Sequence, residues 1–88
     1  MPEPTRGLHD TLEELHAQLA RTESLDPALR DELRQAMEEI RARVDAGAPA
    51  EARVAERVRQ LMLRFEAEYP ALADAVGAVV RALARLGI

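Results

Sequence analysis

The sequence predicts an all-α protein: an antiparallel bundle of four short amphipathic helices that associates with a copy of itself. Three observations carry that reading. Alanine, leucine, glutamate and arginine dominate the chain, and charged residues make up 32% of it against 2% aromatic ones, the balance of a helical bundle. Apolar residues recur at steps of three and four in four separate stretches, and nowhere do they alternate with polar residues as a strand requires. Most glycines and prolines stand between those stretches, where they punctuate the chain. With 88 residues there is room for one small domain and a modest core. A core of that size is often completed by self-association.

Residues 1–7 hold two prolines and a glycine and predict a flexible N-terminal tail. The single domain then spans 8–88. The first helix is expected over about 8–21, with Leu8, Leu12, Leu15 and Leu19 as its seam and Asp10, Glu13 and Glu14 in its N-terminal half, where they suit the helix dipole. Asp26 is a good N-cap and Pro27 fits the first helical position, so the second helix is expected over 27–46. Its seam is Leu29, Leu33, Met37, Ile40 and Val44, Gly47 ends it, and Leu25 tucks into the core just outside the cap. The third helix is expected over 49–68, opened by Ala48 and Pro49, with Val54, Val58, Leu61 and Phe65 as its seam. Leu63 lies on its opposite face.

Tyr69-Pro70 breaks the chain, because the residue before proline is pushed away from helical angles; a kink in one long helix is the alternative. The fourth helix is expected over 70–86. Leu72, Val76, Val79, Leu83 and Leu86 form one stripe, and Asp74, Arg81 and Arg85 lie opposite. Ala73, Ala75, Val80, Ala82 and Ala84 fill the flanks. A helix apolar over so much of its circumference has to be covered on several sides, so it is read as the inner helix of the bundle, with the other three as its cover.

Composition also excludes functions. The formal net charge is −4, which argues against nucleic acid as the main partner. There is no cysteine, hence no disulfide framework and no thiolate site. The opening MPEPTRG lacks the apolar run of a signal peptide, and no stretch of about twenty uncharged apolar residues exists to span a membrane. The expected location is the cytoplasm. All twelve cationic residues are arginine, which fits a GC-rich bacterial genome.

Arg64-Phe65-Glu66, Tyr69-Pro70, Leu72, Leu83-Ala84 and the closing Gly87-Ile88 form a pattern, preceded by Leu12, Leu15-His16, Leu19, Ser24-Leu25-Asp26, Arg30, Leu33 and Ile40. Over nearly the whole chain this pattern resembles a small bacterial domain-of-unknown-function family of roughly ninety-residue helical proteins. Members usually carry histidine before the proline, where this chain has Tyr69. The resemblance implies a bacterial, single-domain, helical protein, and it transfers no catalytic, cofactor-binding or metal-binding residue.

The residues themselves offer few sites. His9, Glu13 and His16 share one helix face and include zinc-ligand types, but the two histidines are two turns apart, and the expectation is no metal and no cofactor. His16, beside Leu12 and Leu19, is the one residue singled out as pH-responsive. The paired carboxylates Glu13-Glu14, Asp31-Glu32 and Glu38-Glu39 read as solvated faces interleaved with arginine. No nucleophile elbow or phosphate-cradling glycine loop is present. The expectation is therefore not an enzyme but an interaction or assembly module, a homodimer with Leu63 or Val80 in its interface, alongside an unknown protein partner. Two alternatives stand beside it. One is association with a membrane surface through the C-terminal amphipathic helix. The other is binding of nucleic acid or an acidic partner through Arg53, Arg57, Arg59 and Arg64 of the third helix.

Overall fold

The computed structural model describes residues 4–46 and 52–85. Four helices follow one another: α1 (Pro4–Arg21), α2 (Pro27–Asp45), α3 (Ala52–Phe65) and α4 (Pro70–Arg85). The described residues contain no strand, so the all-α class is as the spacing predicts. Gly47, the Ala48-Pro49 opening and the closing Leu86, Gly87 and Ile88 lie outside the described residues.

The first helix starts earlier than position 8, at Pro4. Proline suits a first helical turn because its missing N–H has no partner there in any case. Leu8 is fully buried and holds the turn that follows. Gly7 sits inside the helix at a cost of about 1 kcal/mol relative to alanine, which the anchoring of Leu8 offsets.

The α1–α2 connection is short and heavily bonded. Thr22 closes α1, its hydroxyl donating to the Gln18 carbonyl at 2.8 Å and its N–H to the Leu19 carbonyl at 3.2 Å. Asp26 caps α2 by accepting from the Ala28 N–H at 3.0 Å, with Pro27 in the first position. Leu25 is buried, as read.

The third helix ends at Phe65, three residues before the expected 68. The cause lies downstream, since Pro70 disfavours helical angles at Tyr69. The chain turns over residues 66–68, with the Tyr69 N–H bonded back to the Phe65 carbonyl at 2.7 Å. The Tyr69 carbonyl then accepts from the Ala73 N–H at 2.9 Å, the first bond of α4. Tyr69-Pro70 is thus a boundary between two helices and not a kink in one.

Consecutive helices are antiparallel. His9 of α1 meets Asp45 at the far end of α2, Arg57 and Arg64 of α3 meet Glu39 and Glu32 of α2, and Tyr69 meets Ser24. The four form a closed ring in which α4 packs against α1 and α3, and α2 packs against the same two; among the described residues the backbones of neither diagonal pair approach closely. The fourth helix is therefore not an inner helix covered by three others. It has two neighbours, and both contacts are broader than those of α2. Small buried residues explain this, since Ala73, Gly77 and Ala82 let helices approach closely. At Gly77 an added Cβ meets Met62 Sδ of α3 at 3.3 Å.

Every buried side chain among the described residues is apolar. Phe65, Leu8, Leu15, Leu33, Val76 and Val79 are all fully enclosed. Each such side chain contributes about 1.5–3 kcal/mol relative to exposure.

Candidate functional site

Two clefts flank α2, and the sequence treats them differently. The α2–α3 cleft is bridged from within the chain. Arg57 lies 3.4 Å from Gln35 Oε1 and 3.8 Å from Glu39 Oε2, and Arg64 lies 3.4 Å from Glu32 Oε2. Exposed pairs of this kind stabilise by only about 0.2–1 kcal/mol, and beside them the cleft keeps a groove of about 400 Å³ lined by Glu32, Arg57, Gln60, Leu61, Leu63 and Arg64.

The α1–α2 cleft is open. It is a groove of about 400 Å³ with Leu12, Ala17 and Met37 at its apolar floor and Glu13, His16, Arg34, Glu38 and Arg41 along its rims. It is tied at its two ends. At one, His9 Nε2 is 3.3 Å from Asp45 Oδ1. At the other, the Arg30 guanidinium donates to the Leu19 carbonyl at 3.2 Å and to the Thr22 carbonyl. Between those ties the five rim side chains make no hydrogen bond or ion pair with any described residue.

The residues singled out from the sequence fall in different places. His16 is exposed on the groove rim. Leu63 is 58% exposed, the one large hydrophobic so placed among the described residues, beside Gln60 and Arg64. Val80 is half-buried and packs against the core. At about 100° per residue it falls between Val76 and Ala73, inside the buried arc of α4 and not on its flank. The structure does not join Leu63 and Val80 into one patch, because Leu63 points away from the Met62 side of α3 that meets α4. His9 pairs with Asp45, and the described residues contain no group of three or more histidine, aspartate, glutamate or cysteine side chains placed to hold a metal. Of the arginines of α3, Arg59 pairs with Glu56 at 2.9 Å, and Arg57 and Arg64 pair with α2.

The sequence pattern of a family described as a domain of unknown function, DUF4404, matches residues 8–88. The chain belongs to the DUF4404 family. No curated protein and no solved structure matches it. The match runs through all four helices, so the ring, both clefts and the Tyr69-Pro70 boundary belong to the DUF4404 region of the chain. Arg30, Arg34 and Arg41 were not assigned a role from the sequence. The available signal was the spacing of Arg34, Met37, Glu38 and Arg41, which puts them on one face of α2 beside its seam.

Proposed function

We propose that this DUF4404 protein is a small interaction module that works through its helical faces, without catalysis or cofactor, and that a second copy of the chain is among its partners. The α1–α2 groove carries this reading, since an apolar floor and a rim without partners among the described residues are the features of a surface that takes a partner. A chemical centre would need ionisable side chains held away from water, whereas every buried side chain among the described residues is apolar. Membrane-surface association is weakened by the packing of α4, whose apolar arc is turned onto α1 and α3. Among the described residues no helix is long and apolar enough to cross a membrane. Binding of an anionic partner by α3 is weakened by the carboxylates that already face Arg57, Arg59 and Arg64. Sedimentation equilibrium over a concentration series tests self-association directly. The expected result is a monomer–dimer equilibrium with a midpoint in the micromolar range. A single monomeric species up to about 1 mM, where binding free energy falls to roughly −4 kcal/mol, removes the second copy as a partner.

A further inference from the structure

We propose that α2 is an opening arm: it lifts off the frame made by α1, α4 and α3 while that frame stays packed, hinged at its N-terminal end and held shut by an exposed ionic clasp. The inference is independent of self-association and concerns a single chain.

The packing is uneven around the ring. Helix α4 lies close along both α1 and α3, and those two contacts are broader than the two that α2 makes. Seven of the 16 residues of α4 are buried, against four of the 19 of α2. Helix α1 also buries only Leu8, Leu12, Leu15 and Leu19, but all are leucines and its backbone follows α4. Helix α2 stands far enough off to leave a groove of about 400 Å³ on each side, one toward α1 and one toward α3. Apolar burial is what an opening has to undo, and α2 offers little of it for its length.

The two ends of α2 are held differently. At the N-terminal end Asp26 caps the helix, Arg30 donates to the Leu19 and Thr22 carbonyls, and the Ser24 carbonyl accepts from Tyr69. These bonds lie in or before the first turn, so none has to break when the rest of α2 moves. Beyond that turn the ties run between side chains at the surface: Glu32 with Arg64, Glu39 with Arg57, and Asp45 with His9. Exposed pairs are weak and are screened by salt. Opening brings Leu33, Ala36, Met37 and Ile40 into water and joins the two grooves into one trench between α1 and α3. A helix of 19 residues freed from its neighbours is marginal in water, so a lifted α2 unravels and its amides exchange.

Native-state amide exchange of the wild-type chain, read residue by residue by NMR, tests this. Protection factors at Leu33, Met37 and Ile40 are expected at least about tenfold below those at Val76 and Val79, since a sub-global opening is more frequent than global unfolding. Ala82→Gly weakens α4 and hence the frame alone. It is expected to lower protection at Val76 and Val79 about fivefold or more and to leave that of α2 within about twofold, because α2 opens without α4 unfolding. Equal protection of the two helices in the wild type, or an equal fall in both on Ala82→Gly, means that α2 leaves only when everything unfolds and overturns the arm. The surface variant carrying Glu32→Gln and Glu39→Gln is expected to lower α2 protection about twofold to tenfold. An α2 indifferent to it overturns the clasp.

Discussion

The hydroxyl of Tyr69 donates to the carbonyl of Ser24 at 3.0 Å, which ties the α3–α4 turn to the α1–α2 turn across the end of the ring. The Tyr69 ring also stands edge-on to Phe65, with centroids 6.2 Å apart. One residue thus links a buried aromatic, two connections and the break before Pro70. Tyr69→Phe keeps the ring contact and removes the bond. It is expected to lower stability by about 1 kcal/mol, the usual net worth of one hydrogen bond. Urea denaturation measures this, and an unchanged midpoint would show that the two turns are not coupled through this bond.

Arg30 does similar work at the α1 C-terminus, where helix carbonyls otherwise lack partners. Its fork reaches the Leu19 carbonyl, which also accepts from the Thr22 N–H, and the Thr22 carbonyl just beyond the helix. Arg30→Met is expected to cost about 2 kcal/mol, since charged donors contribute more than neutral ones. Arg30→Lys should recover less than half of that, because a compact ammonium cannot reproduce the fork. Chemical denaturation of the three proteins checks the order, and a lysine variant as stable as wild type contradicts it.

Gly7 and Gly77 both lie within helices but differ in surroundings. A Cβ at Gly7 meets nothing within 4 Å, whereas one at Gly77 meets Met62 Sδ at 3.3 Å and Arg81 Nη1 at 3.5 Å. Gly7→Ala is expected to stabilise the fold by about 0.5–1 kcal/mol through helix propensity. At Gly77 the same gain is offset by the displacement of Met62, so Gly77→Ala should gain less. Thermal melts of the two variants in parallel give the comparison, and a larger gain at Gly77 contradicts the close α3–α4 approach.

Pro70 is exposed at the first position of α4, where its ring is replaceable. Pro70→Ala is expected to change stability by less than about 1 kcal/mol and to leave the small-angle scattering profile unaltered. A markedly more extended profile would mean that proline alone prevents α3 and α4 from fusing into one helix.

What the sequence disclosed follows from how locally each feature is encoded. The four seams are legible because periodicity is complete within one helix, and Leu63 is legible as exposed because it stands opposite its own seam. The early start of α1 was missed because prolines and a glycine resemble a tail until the burial of Leu8 is known. The ring was not legible, since the amphipathicity of α4 shows how much of it is covered and not by which helices. Val80 was read as a flank although it falls inside the buried arc, because small residues at Ala73 and Gly77 widen that arc beyond a leucine stripe. Arg30 and the groove were hidden for the same reason as each other. Both depend on pairing α1 with α2, and neither helix contains the feature alone.

The central claim is that the chain is an interaction module with a second copy of itself among its partners, and amide chemical shifts followed through a dilution series report that contact without any substitution. The account predicts concentration-dependent shifts gathered on one helical face. A spectrum indifferent to concentration contradicts it.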